Sequence, residues 1–174
     1  MRLQILLSGG LALLTACSSG KPPVLWVAQP AHLSDTASIH VHVGDTSQGI
    51  PRAKRRDVAP RWPFDATVAA SAVVAAFVIG ADGRAELPTV AFLESDDPAF
   101  ERSVCAYLQV ADFVPSRVAG IYRRTLVVMP FRFAMAPATW REPDMPRYLA
   151  LMRTTPRSEL FNALSGRRGC PRAP

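Results

Sequence analysis

Cysteine and histidine are scarce in this chain, at three of each in 174 residues. Three histidines leave little for a metal centre. His40 and His42 stand two apart, as two ligands on one strand face would, but no third ligand is evident and Asp35 and Asp45 are no more than candidate helpers. The chain has no Gly-rich phosphate loop, no GxSxG elbow and no Cys–His signature. We therefore expect no enzymatic activity and no cofactor, and a metal-binding protein built on His40 and His42 ranks third among the readings. The apolar stretch Ile5 to Leu14 is interrupted by Ser8-Gly9-Gly10 and is too short to span a bilayer. No basic run is interleaved with aromatics. The densest cluster, RAKRR at Arg52 to Arg56, reads as solvated linker, so nucleic acid is not an expected partner. No internal repeat is visible.

Hydrophobic residues make up 49% of the chain, enough for one domain with some chain left over. Twenty basic against 14 acidic residues leave a formal charge of +6, which suits an anionic neighbour such as a lipid surface. The N-terminus is laid out as a secretory signal: Arg2, the short apolar stretch, then small residues. It ends in Leu14-Thr15-Ala16-Cys17, which resembles the lipobox of bacterial lipoproteins. That resemblance implies that residues 1–16 are removed and that Cys17 carries the lipid. Small residues admit the peptidase and a thiol is the acylated nucleophile. Ser18 stands where Asp would imply retention in the inner membrane, so the implied location is an outer-membrane anchor facing the periplasm. Two or three acyl chains hold stably where one is marginal. A plain signal peptide with a chance cysteine is the alternative. Cys105 and Cys170 then remain. In an oxidising compartment they suit one disulfide closing about 66 residues, worth on the order of 4 kcal/mol. Two unpaired thiols are also open, because Cys105 falls on an apolar helix face.

After Cys17, SSGKPP reads as a tether within a segment 17–56. Ile39 to Val43 alternates strictly, which predicts a strand with His40 and His42 on one face. PRWPFDATVAAS, 60–71, predicts a short helix behind a Pro-bracketed aromatic, with Asp65 near its cap. The Val-rich run 72–79 predicts a strand buried on both faces. GADG supplies a tight turn, and 84–94 returns as a second strand with Pro88 at a bulge or edge. A helix follows, capped by Ser95 or Asp96, with Pro98 in its first turn and a stripe of Phe100, Val104, Tyr107, Leu108 and Ala111. Residues 123–135 form the last strand, in which Pro130 implies an edge or a bulge. The tail 137–174 is rich in Pro and Arg. Its seven Arg and three acids give a net +4, and it predicts two short helices broken at Pro156.

These elements in this order resemble the C-terminal domain of TonB, the periplasmic energy transducer of Gram-negative bacteria. The matching stretches are PRWP (Pro60 to Pro63) at the family's Pro-x-Tyr-Pro, and VVAAFVIGADGRAELPTVAFLES (73–95) at its strand–DGRV–strand. They continue with DPAFERSVCAYLQVADFVPSRVAG (97–120) at its helix and exit, and VVMPFRFAM at its closing strand. The similarity covers about 57–136. It implies an α+β fold: a small three-stranded antiparallel sheet packed with one long and one short helix, with extensions at both ends. It also implies that Asp57 to Pro63 and the last strand from Arg123 to Phe133 meet a partner, which singles out Pro60, Arg61, Trp62, Pro63, Arg123 and Arg124. A staple role for Trp62 and an aggregation-blocking role for Arg123 and Arg124 stay open. The chain departs from the family where a lipobox replaces the membrane helix and where no long Pro-rich rod follows. The expected function is an outer-membrane lipoprotein whose domain holds a segment of an envelope protein, a β-barrel receptor or a transport component, by edge-strand pairing. The alternative is a structural subunit of an envelope assembly whose basic tail lies on anionic lipid.

Overall fold

The computed structural model describes residues 27–42, 52–54, 59–68, 70–134 and 143–171. The elements run β1 (Gln29–Pro30), β2 (His40–Val41), β3 (Ala70–Ile79), β4 (Ala91–Ser95), α1 (Pro98–Val110), β5 (Arg117–Val118), β6 (Ile121–Tyr122), β7 (Thr125–Ala134), α2 (Met145–Thr154), α3 (Arg157–Leu164) and β8 (Arg168–Gly169). The class is α+β. The expected three-stranded sheet is corrected to four strands in the order β2-β7-β3-β4, and the additional strand, β2, lies parallel to β7.

β3 is the central ribbon. Its β-branched residues Val73, Val74, Val78 and Ile79 are almost wholly buried, as a strand covered on both faces requires. Val73, Ala75, Phe77 and Ile79 join Val127, Phe131 and Phe133 of β7 in packing under α1. Ala76 and Val78 join Leu126 in packing under α2 and α3, against Met152, Leu160, Phe161 and Leu164. The first layer is aromatic: Phe100 meets Phe133 at 4.6 Å between ring centres, and Phe77 meets Phe113 at 5.8 Å. Each such ring contributes about 1.5–3 kcal/mol by leaving water.

The C-terminal segment, set apart as a basic tail by its composition, therefore supplies the second face of the core. Pro156 separates α2 from α3, and Asp144 caps α2 by accepting from the Arg147 N–H. The Tyr148 hydroxyl donates to Glu94 Oε2 at 2.6 Å, joining α2 to β4. Partial burial first, and then the Glu94 carboxylate, push that phenol up to about 12.

Local details differ from the expectations at three places. The short helix within 60–71 does not form: Phe64 and Asp65 make a turn, and Ala70 and Ser71 continue β3 because they find Ala134 and Phe133 opposite them on β7. Asp65 pairs with Arg102 instead of capping. The second strand begins only at Ala91, since Leu87–Thr89 with Pro88 forms a 3-10 turn. Thr89 replaces the missing ladder bond: its Oγ1 accepts from the Val78 N–H at 2.9 Å and donates to the Glu86 carbonyl at 2.7 Å. The cap of α1 is Asp97, one residue beyond the expected pair, because Pro98 occupies the first helical position. Its carboxylate accepts from the Ala99 N–H at 2.8 Å, the chief cause of its lowered pKa.

The GADG turn is more than a hairpin. Gly83 has φ +87°, and a Cβ there would lie 2.3 Å from the Phe113 carbonyl oxygen. Only glycine lets the turn press on the exit of α1, where the Phe113 N–H donates to the Gly83 carbonyl at 2.8 Å.

Candidate strand-addition edge

The His40 N–H donates to the Arg124 carbonyl at 2.7 Å and the His42 N–H to the Leu126 carbonyl at 3.0 Å. These two bonds set the direction of every backbone group on β7. Leu126, Val128, Pro130, Arg132 and Ala134 turn theirs toward the outer edge, and Thr125, Val127, Met129, Phe131 and Phe133 turn theirs toward β3. Pro130 thus sits where its missing N–H costs no ladder bond. The register of β7 on β3 runs unbroken from Ala134↔Ala70 to Thr125↔Ile79, so Pro130 marks an edge and not a bulge. The irregularity lies across the sheet, between Val74 and Ala75 on the β4 side. Among the described residues, β2 covers this edge only at Thr125 and Leu126.

Two arginines hold β2 in place. Arg124 grips Glu86 with both arms, Nε to Oε1 at 2.7 Å and Nη2 to Oε2 at 2.6 Å, and donates from Nη1 to Ser38 Oγ at 2.8 Å. Glu86 is also the main reason its guanidinium pKa is raised. Arg157, from α3, donates to the carbonyls of Thr36, Ala37 and Ile39, which close the 3-10 turn before β2. Arg124, singled out as a partner-binding residue, is thereby engaged within the fold. Arg123 is exposed, with its N–H on the Ser116 carbonyl.

The Pro60–Pro63 segment lies along α1. Trp62 stands edge-on to Phe100 at 5.3 Å, and Ser103 donates to the Arg61 carbonyl. A cleft of about 340 Å³ opens beside it between Ala59, Arg61, Ser103, Ala106, Tyr107 and Val110. Cys17, Asp45 and Asp57 lie outside the described residues. His40 is half-buried and His42 buried, the latter beside Leu126 through its backbone bond. Among the described residues no helix is long and apolar enough to cross a membrane.

The far end of α1 is tied to β8. Cys105 and Cys170 form a disulfide. One turn earlier, the fully buried Glu101 has Oε1 2.8 Å from Arg168 Nη2, an ion pair by distance whose N–H is not aligned on the oxygen. Four helical residues rise about 6 Å and two strand residues about 6.6 Å. Glu101/Cys105 and Arg168/Cys170 therefore match in spacing. Burial first pushes the Glu101 carboxyl up, and Arg168 opposes that. Gly169 makes the approach possible: a Cβ there would lie 2.1 Å from the Val90 carbonyl oxygen.

Glu101, Arg157 and Gly169 escaped the reading of the sequence. The signal for Glu101 was its place directly after Phe100 on the apolar side of α1, a carboxylate where periodicity calls for burial. No family model matches the chain, and no curated protein matches it either.

Proposed function

We propose that the chain is a periplasmic lipoprotein anchored in the outer membrane through Cys17, whose TonB-like domain binds a segment of an envelope protein by strand addition to β7. The observation that carries this reading is the outer edge of β7, where Val128 turns an N–H and a C=O outward and Pro130 a C=O, beyond the two residues that β2 covers among the described residues. Main-chain bonds to such an edge supply affinity, and side chains on alternate positions supply selectivity. The partner is a β-barrel receptor or a component of a transport complex. SSGKPP is too short to cross the periplasm, so energy transduction is not part of the proposal.

The test is recovery of crosslinked partners from envelopes with the tagged, lipidated chain, compared with Val128→Pro, which removes an outward donor. The proposal expects a barrel or transport component with the native chain and its loss with the variant, whose thermal melt still shows a cooperative native fold. Equal recovery by both chains overturns strand addition at this edge.

A further inference from the structure

We propose that the hairpin formed by β5 and β6 is a second, peripheral membrane-contact point that seats on anionic lipid headgroups. This inference does not depend on the edge of β7.

The ribbon is short and closed. Arg117 faces Tyr122 and Val118 faces Ile121, and the turn is made by Ala119 at φ +50° and Gly120 at φ +80°. At its base the Arg123 N–H bonds the carbonyl of the buried Ser116, so the root is fixed in the domain while the tip stands out. Ile121 is 56% exposed and Tyr122 is 51% exposed. Side chains alternate across a ribbon, so each face carries one guanidinium with one exposed apolar group: Arg117 with Tyr122, Arg123 with Ile121. The Arg117 guanidinium carbon lies 4.9 Å from the Tyr122 ring centre. From Phe113 to Arg124 the chain has three Arg and no carboxylate.

Charge complementarity selects the occupant. Arg124 is engaged by Glu86, but the exposed Arg117 and Arg123, with no acid between them, call for an anionic surface. A two-stranded convex tip offers no groove, and it is far smaller than the roughly 800 Å² a side of a standard protein interface. A headgroup layer needs no matching shape. It accepts Tyr at its own depth, takes Ile just below, and is attracted by each nearby Arg. The small Ala119 and Gly120 let the tip approach closely.

The test uses the full chain carrying Cys17→Ser, so that no acyl chain contributes. Its sedimentation with phosphatidylglycerol-containing vesicles is compared with that on pure phosphatidylcholine at low salt. The expected result is an excess of binding to the anionic vesicles that salt weakens, and that Ile121→Ser with Tyr122→Ser lowers by on the order of tenfold. Arg117→Gln with Arg123→Gln, which leaves the apolar tip intact, is expected to lower it similarly and covers the case where the first variant does not fold. Three outcomes overturn the proposal: equal binding to both vesicle types, an anionic excess untouched by the folded variants, or self-association through Ile121 and Tyr122 without vesicle binding.

Discussion

Glu101 and Arg168 approach to 2.8 Å one helical turn before the Cys105–Cys170 bond, so a carboxylate with no exposed surface faces a guanidinium that is half in solvent. Removing either partner has unequal consequences. Arg168→Met leaves a buried charge alone and is expected to cost roughly 3 kcal/mol, the low end for a broken buried pair because Arg168 is partly solvated. In a Glu101→Gln background the same change is expected to cost little. A double-mutant cycle by urea denaturation measures the difference.

The same pair sets a pH dependence. The folded-state pKa of Glu101 lies above its ordinary value near 4.5, so the native state holds the proton more tightly than the unfolded chain. Its contribution to stability is fully present below that ordinary value and is lost as pH rises through the raised one. Thermal midpoints measured upward from pH 4 are expected to show this decline in the native chain, and Glu101→Gln is expected to remove that share of it.

Reduction of the disulfide is expected to lower stability by about 4 kcal/mol for a separation of 65 residues, on the chain-entropy account. Denaturation with and without dithiothreitol checks this, with Cys105→Ala/Cys170→Ala expected to match the reduced chain.

Two glycines of the C-terminal segment are expected to resist substitution for different reasons, one by collision and the other by backbone strain. Gly169→Ala places a methyl 2.1 Å from the Val90 carbonyl oxygen and is expected to cost 1–3 kcal/mol, approximately the range of overpacking, and to slow disulfide formation. Gly166→Ala meets nothing within 4 Å and carries only the strain of φ +85°, about 1–2 kcal/mol. Urea midpoints and free-thiol titration during refolding distinguish them.

Adjacent prolines on β7 are expected to act oppositely. Val127→Pro removes a donor aimed at Phe77 inside the sheet and is expected to cost on the order of 3 kcal/mol. Val128→Pro removes an outward donor and is expected to stay within about 1.5 kcal/mol. Thermal melts of the two variants check the direction assigned to each backbone group.

Arg124→Met removes the two-armed contact to Glu86 and the bond to Ser38. About 2 kcal/mol is expected from charged bonds in this half-buried setting. The amides of His40 and His42 are expected to exchange faster, while those of Phe77 and Val127 at the sheet centre are not.

What the sequence made legible was what short-range periodicity encodes. The Val-rich run gave β3, Asp82-Gly83 its turn, and Phe100, Val104, Tyr107, Leu108 and Ala111 the buried stripe of α1. Pro156 marked the break between α2 and α3. Hidden features depend on partners distant in the chain. Ala70 and Ser71 look helical until β7 pairs with them, and β2 begins where it does because Arg124 and Arg157, far downstream, hold the turn before it. Composition marked the C-terminal segment as a basic tail because Arg and Pro stand out in it, although more than half of the residues of α2 and α3 are apolar. Met152, Leu160, Phe161 and Leu164 are the ones that enter the core, while Leu151 stays exposed.

The ladder between Gln29–Pro30 and Arg168–Gly169 joins strands at opposite ends of the described fold. A chain still emerging from the ribosome cannot make this junction until residues 168–169 are out. Until then β3 and β7 have only one face covered, and the Glu101 carboxylate lacks its counter-ion. Covering of the second sheet face therefore waits on residues 152–169, the last of the described elements to be made.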